Sequence, residues 1–211
     1  MSLRCLITAG PTREFFDPVR YISNPSSGKM GFALAESAQR QGWVVDLVHG
    51  PVAIKPPAGV NAHAVVTCEE MYAVCGPLFS ECDLLIMCAA VCDMRPKIRA
   101  EGKVKKGDLS MTVEFEPTRD ILKTLSAARR PEQTLVGFAA ETDDVENYAR
   151  KKLEAKNLDW IVANSVAKGG AFESDTNKVS LIGRAGEHLS FGPDSKAAVA
   201  DWIIEQIAKL P

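Results

Sequence analysis

No stretch of this 211-residue chain approaches the ~18 consecutive apolar residues that suggest a membrane-spanning helix, and its N-terminus has one early arginine with no apolar run behind it. Neither a membrane span nor a signal peptide is expected. Charge of one sign is also lacking. Lys and Arg number 25 against 27 Asp and Glu, a formal net charge of −2 that gives no reason to expect nucleic acid or an anionic membrane as a partner. Histidine is scarce (His49, His63 and His188) and scattered, and Cys88 and Cys92, though close, lack the partner pair a metal site needs. Cys68, Cys75 and Cys82 recur every seven residues, which along a helix separates neighbours by ~10 Å, too far for one mononuclear centre. Six cysteines in a chain this long do not resemble a disulfide framework either. They sit in apolar segments, as buried small hydrophobes do. The expectation is a reduced, cytoplasmic protein with no metal ligands assigned.

Two phosphate-binding motifs are absent as well. No G-x-G-x-x-G follows the first apolar run, and Gly28-Lys29 is followed by Met30 where a Walker A loop needs a hydroxyl. Repeats and low-complexity tracts are missing, and no shift in composition divides the chain.

What is present is a hydrophobic content of 46%, ample for one core, arranged as repeated strand-then-helix units. Strands are expected at Leu3–Ala9, Trp43–His49, within Asn61–Thr67 (Ala64–Val66), and at Asp83–Ala90, Ser110–Phe115, Thr134–Ala140 and Asp159–Asn164. Helices are expected after Met30 and over Glu69–Phe79, Arg119–Ala128, Val145–Lys156 and Ser195–Leu210. The almost uninterrupted apolar run at Asp83–Ala90 marks a central parallel strand covered on both faces. Residues 178–182 and 187–191 read as a hairpin, and Gly169–Asn177 as a polar loop. The fold class is α/β: a three-layer, doubly wound, mainly parallel Rossmann-like sheet with a C-terminal β-hairpin and helix, as one nucleotide-binding domain over residues 1–211. Ligands of such sheets sit beyond the carboxyl ends of the strands, where strand order reverses.

Three segments carry candidate chemistry. The first runs from Gly10 to Gly31, well over a dozen residues, with Ser26, Ser27 and Gly28 before a helix start that favours an anion. An ordinary loop with an N-cap at Ser26 or Ser27 is the plainer alternative. The second, Lys97–Lys106, carries five cations with only Glu101 opposing them, and reads as a mobile flap that a polyphosphate could close or as a solvated basic loop. The third is a helix face with Tyr148, Lys152 and Lys156 four residues apart. Like charges at that spacing are mildly unfavourable unless an anion or carboxylate answers them, and a solvated basic face fits equally.

Read together, ITAGPTRE (7–14), DPVRYISN-x-SSGKMG (17–31), AAV-x-D (89–93), K-x-KK (103–106), GFAAET (137–142), YARKKLEAKNLD (148–159) and ANSV…FESDTN (163–177) resemble the bacterial phosphopantothenate–cysteine ligase domain over nearly the whole chain. In many bacteria that domain is the C-terminal half of a bifunctional coenzyme A enzyme. The resemblance implies a ligase that activates the carboxylate of 4′-phosphopantothenate with CTP, releasing pyrophosphate. The amine of L-cysteine then displaces CMP. Mg²⁺ would accompany the triphosphate.

By matching positions, the resemblance gives Asn24 to the acyl-cytidylate, as an amide donor to the acyl oxygen, with Arg20 beside it on phosphate or carboxylate. Lys103 would be the flap lysine that completes ligation and contacts nucleotide. Asp93, Phe138, Lys152 and Lys156 would hold CTP, with Ala89 against the cytosine. Gly10, Ser26, Ser27, Gly28 and the run Arg119, Asp120, Ile121 and Leu122 complete the nucleotide contacts. The same resemblance implies a homodimer. Where the family commonly has Asn-Pro-Asp-Ile, this chain has Thr118-Arg119-Asp120-Ile121, a departure that bears on CTP preference. No flavoprotein decarboxylase half is present, so a separate phosphopantothenoylcysteine decarboxylase, or one fused beyond this segment, is the expected partner. A reductase using NAD(P) on the same fold, and a non-catalytic nucleotide-binding module, are the competing readings. The missing glycine fingerprint speaks against the first, and the joint retention of Asn24 and Lys103 against the second.

Overall fold

The computed structural model describes residues 2–108, 112–141, 144–165 and 176–209. In chain order these form β1 (Arg4–Ala9), β2 (Arg13–Phe15), β3 (Tyr21–Ser23), α1 (Lys29–Arg40), β4 (Val44–His49), β5 (Asn61–Ala64), α2 (Cys68–Glu81), β6 (Leu84–Met87) and β7 (Met94–Pro96). After a 3₁₀ turn at Lys106–Asp108 come β8 (Phe115–Pro117), α3 (Ile121–Ala127), β9 (Thr134–Glu141), α4 (Val145–Ala155), β10 (Trp160–Ser165), β11 (Thr176–Gly183), β12 (His188–Ser195) and α5 (Lys196–Ala208).

Eight strands make the main sheet in the order β12-β11-β10-β9-β6-β1-β4-β5. Neighbours from β5 through β10 run parallel, and β11 and β12 continue the sheet antiparallel. The alternation of side chains along β1 shows why its sequence is apolar throughout. Cys5, Ile7 and Ala9 pack into the core under α1 and α5, while Leu6 faces the opposite core with α2, α3 and α4. Leu84 and Ile86 of β6 join the first layer, Leu85 and Met87 the second. Each large side chain buried this way stabilises the fold by about 1.5–3 kcal/mol. All six cysteines are free. Burial pushes the Cys75 thiol up to about 12 and that of Cys82 up to about 11, as expected of packing groups.

Several local expectations need correction. The first long loop is not structureless, since β2 and β3 pair antiparallel within it from Arg13↔Ser23 to Phe15↔Tyr21. Glu14, nearly buried, accepts the Cys68 N–H at 2.8 Å and so fastens this hairpin to the start of α2. Of the span Asn61–Thr67 expected to carry the third strand, the first four residues, Asn61–Ala64, form it, rather than Ala64–Val66. As the sheet edge it needs no apolar alternation, and Val65 is instead where the chain turns into the core beside α2. The strand expected over Ser110–Phe115 is displaced to Phe115–Pro117, where it pairs with β7, and Ser110 and Met111 lie outside the described residues. Thr142, Val166, most of the 169–177 loop and Leu210 also lie outside them.

Candidate functional site

The chain runs outward from β1 through β4 to β5, then crosses to the far side of β1 and runs through β6, β9 and β10. Strand order therefore reverses between β1 and β6. Beyond their carboxyl ends lies a cleft of about 550 Å³. The switch point is stitched by the Ala90 N–H to the Gly10 carbonyl at 2.9 Å and by the Ala89 N–H to the Thr8 hydroxyl at 3.2 Å.

On one side the cleft is floored by Gly10, Ser26, Ser27, Gly28 and the first turn of α1. The cap residue of α1 is neither serine. Gly28 occupies it in the left-handed region (φ 75°), which glycine adopts without strain, and the Ser26 hydroxyl accepts the Gly28 N–H at 3.4 Å. Three residues on, a Cβ at Gly31 would stand 2.5 Å from Ala9 Cβ. Absence of side chains at both glycines lets the helix start press against the end of β1, so that the first turn of α1 faces the cleft.

Asn24 reaches across to the other strand end. Its side-chain NH₂ donates to the carbonyls of Ala90 (3.1 Å) and Val91 (3.0 Å). In this conformation the amide donates to the protein rather than into the cleft. Both N–H groups serve the protein, so the atom left for chemistry is Oδ1, an acceptor.

The facing wall is made by α3 and α4. Asp120 caps α3, accepting the Lys123 N–H at 3.0 Å, and pairs with Lys156 at 2.9 Å. Lys152 donates to the Phe138 carbonyl at 2.7 Å. The basic face of α4 is thus turned inward and answered by a carboxylate and a carbonyl, which overturns the solvated alternative. Desolvation acts to raise the Asp120 carboxyl, but the Lys156 hydrogen bond, the Lys123 N–H and the two lysine charges outweigh it and hold the group below the usual carboxylate range.

The departure at Thr118-Arg119 is absorbed locally. The Thr118 N–H bonds to the Asp93 carbonyl at 3.0 Å, and its hydroxyl to the Cys92 carbonyl. The Arg119 guanidinium turns to α2, pairing with Glu69 at 3.1 Å and lying 4.2 Å from the centre of the Tyr72 ring.

Ala89, Asp93, Ile121, Leu122 and Phe138 also line the cleft, so every candidate from the sequence meets there except Arg20 and Lys103. Those two lie together elsewhere. Arg20 pairs with Asp17 at 2.7 Å and donates to the Val104 carbonyl at 3.2 Å, beside exposed Lys103. In this conformation Arg20 is a bond between the first loop and the basic segment rather than part of the cleft wall.

Sequence reasoning missed Lys29, Asn164, Asn177 and Lys196, all lining residues. Lys29, Asn164 and Asn177 stand inside resembling motifs, which was the available signal. Lys196 had none, because it reads as an ordinary first residue of a helix capped by Ser195. Cations in the lining (Lys29, Arg119, Lys152, Lys156, Lys196) outnumber the carboxylates (Asp93, Asp120), so the cleft suits a polyanion. Cys88, also in the lining, is no nucleophile. Burial pushes its thiol up to about 12 despite the opposing Lys196 charge.

Comparison with known proteins agrees with this geometry. A family model described as the DNA/pantothenate metabolism flavoprotein C-terminal domain matches residues 1–210. The coenzyme A biosynthesis bifunctional protein CoaBC of Vibrio vulnificus (strain YJ016) is 48% identical over 208 residues, covering 97% of this chain and 52% of that protein. The protein of the same name from Bacillus subtilis (strain 168) is 47% identical over 207 residues, covering 97% and 51%. The chain therefore spans about half the length of the curated relatives it matches. Among solved structures, a crystal structure of the C-terminal domain of CoaBC superposes with a TM-score of 0.83 at 42% identity, covering 97% of this chain and 93% of that one.

Proposed function

This chain belongs to the DNA/pantothenate metabolism flavoprotein C-terminal domain family, and from that membership and the cleft we propose that it joins 4′-phosphopantothenate to L-cysteine through an acyl-cytidylate made from CTP, in coenzyme A biosynthesis. The observation that carries the reading is the convergence on one switch-point cleft of Asn24, the α1 start and the inward face of α4. In the first step a pantothenate carboxylate oxygen bonds to the α-phosphorus, and the bond from that phosphorus to pyrophosphate breaks. In the second the cysteine amine bonds to the acyl carbon, the bond to the CMP oxygen breaks, and the amine loses a proton.

The chain's own contribution to both steps is position and charge. The α1 start and Lys152, with Lys156 beside it, offset the negative charge of the phosphates. Ala89 and Phe138 provide the surface for the base. Asn24 Oδ1 accepts from a donor on the acyl portion or the entering amine. Among the described residues no group of three His, Cys, Asp or Glu side chains could hold a metal ion, and Asp120 is engaged by Lys156. The donor set thus gives Mg²⁺ no protein cage, and the ion would enter on the triphosphate with its own waters. A homodimer, a cytoplasmic location and a decarboxylase acting on the product follow from the family reading and belong to this proposal.

Cysteine-dependent release of CMP from CTP and 4′-phosphopantothenate tests it. The expected result is CMP formed in step with amide, and none when CTP is replaced by an NAD(P) cofactor. Nucleotide binding without CMP release under these conditions would leave only a binding module.

A further inference from the structure

The mechanism leaves Asp17 without a role, although it is a charged side chain only 1% exposed in the resembling DPVR motif. One oxygen, Oδ1, accepts the N–H groups of Val19 and Arg20, each at 2.8 Å, closing the turn before β3. The other, Oδ2, accepts from the Arg20 guanidinium at 2.7 Å and from the Val104 N–H at 3.2 Å, and the same guanidinium nitrogen donates to the Val104 carbonyl at 3.2 Å. Both backbone groups of a residue 87 positions along the chain are therefore held by one ion pair. A third bond nearby, from the Ala100 N–H to the Phe16 carbonyl at 2.8 Å, docks the segment on the same turn, and the Phe16 and Phe115 rings meet edge to face. The carboxyl is held below its usual range, first by the Val19 N–H and then by the Arg20 and Val104 N–H groups.

The geometry points to Asp17 as the positioning residue of the basic segment: with Arg20 it clamps Val104 to the first loop and so fixes the base from which the neighbouring Lys103, outside the cleft in this conformation, reaches the ligation site. Val104 carries the clamp because its N–H and carbonyl are the only backbone groups of residues 101–106 bonded to the first loop among the described residues. Without the clamp the segment between the Ala100 bond and the 3₁₀ turn keeps no backbone bond to that loop among the described residues, and Lys103 loses a defined approach. Arg20 acts here through Lys103 rather than by touching substrate. The catalytic half of this inference rests on the ligase reading, the clamp on the Asp17–Arg20–Val104 bonds alone.

Asp17→Asn separates the two oxygens' duties. Asparagine keeps Oδ1 for the turn, but places an NH₂ against the Val104 N–H and the Arg20 guanidinium, so the clamp opens while the turn survives. Trypsin cleavage after Arg99, Lys103, Lys105 and Lys106, followed by mass spectrometry, should accelerate about tenfold over wild type, with faster hydrogen exchange at the Val104 amide. In the cysteine-dependent assay kcat should fall about tenfold, the loss expected when a charge-assisted hydrogen bond is replaced by a repulsive pair, while CTP affinity, set by α4, holds. Asp17→Ser, whose hydroxyl can close the same turn but cannot span to Val104, should repeat the pattern and serves if the asparagine variant misfolds. Cleavage and exchange at the wild-type rate in a folded variant overturn the clamp. Faster cleavage with an unchanged kcat overturns the positioning of Lys103. A wild-type protein that released no CMP would sink the ligase reading, and the cleavage arm would still decide the clamp.

Discussion

Two basic regions, one on the wall of the cleft and one outside it, are built on opposite plans. Lys152 and Lys156 stand on α4, a helix whose Ala149 and Leu153 are packed into the core, and each ammonium meets a fixed acceptor, the Phe138 carbonyl or the Asp120 carboxylate. The cations from Lys97 to Lys106 stand on a segment flanked by three-residue strands, β7 and β8, with Ile98 81% exposed. Isolated two-stranded ribbons are marginal in water, so this arm depends on its bonds to the first loop. On α4 the ordering of side chains is accomplished by folding. On the arm the proposed function leaves that ordering, with its cost in entropy, to the arrival of an anion. Under the proposed function, binding falls to α4 and closure to the arm.

The largest effect is expected where the two plans join. Asn24 ties the loop that holds the arm to the end of β6, through Ala90 and Val91. Asn24→Ala removes both bonds and the Oδ1 acceptor, leaving two strand-end carbonyls to find water. Ligation should drop about a hundredfold, the scale of a displacement near 1 Å at a reacting centre, in a protein that still unfolds cooperatively. Calorimetry beside the CMP assay measures both. Undiminished ligation would remove Asn24 from the site.

The next effect isolates the fixed wall. Lys152→Gln or Lys156→Gln should each weaken CTP binding more than tenfold, since charge-assisted hydrogen bonds contribute about 1.5–3 kcal/mol. Calorimetric titration reads it, and equal affinities in wild type and both variants would break the contrast with the arm. Lys156→Gln also has a pH signature. The Asp120 carboxyl is held low in the folded state, so it contributes stability that is present above its unfolded pKa and is lost as pH falls through its folded value. Without Lys156 the folded value rises towards the unfolded one, so the acid-side loss of stability due to this carboxyl should shrink. Superimposable pH–stability curves would show that the pair contributes nothing.

What could be read from the sequence follows the same division. β1, β4, β6, β9 and β10 were legible because strands covered on both faces must be apolar at every position, and the motif residues around them do meet at the switch point. The β2–β3 hairpin and the β7–β8 ribbon were not. Three-residue strands leave no periodicity, and these are held by side chains distant in sequence, such as Glu14 on Cys68 and Asp17 on Val104. Arg20 shows the same limit, since its partners in this conformation, Asp17 and the Val104 carbonyl, lie partly far along the chain. A motif records that an arginine is present but not which partner holds it. Thr118-Arg119 raised a doubt about the base contact that local geometry answers differently, by sending the guanidinium to Glu69 and Tyr72.

The smallest effect tests closure directly. The arm's charges are not all unanswered, as Lys97 pairs with Glu114 at 3.4 Å and Arg95 with Glu116 at 2.8 Å across the ribbon. Lys103, Lys105 and Lys106 are exposed beyond those pairs, near one another on a short backbone. Their mutual repulsion weakens any closed arrangement until a triphosphate or acyl-cytidylate supplies countercharge, and closure would then shield the activated acyl group from water. Trypsin cleavage after Lys103, Lys105 and Lys106 should accordingly slow several-fold when CTP, Mg²⁺ and 4′-phosphopantothenate are added together. Cleavage after Lys152 and Lys156, on a wall already ordered, should change less, because those side chains are half-buried before any ligand binds. Lys103→Gln should lose most of the protection at the arm and keep the CTP affinity that α4 confers. Protection of equal size in both regions would mean that ligand stiffens them alike, and the assignment of closure to the arm would fail. Cleavage of the arm at one rate with and without ligands would show that its cations wait on no ligand at all.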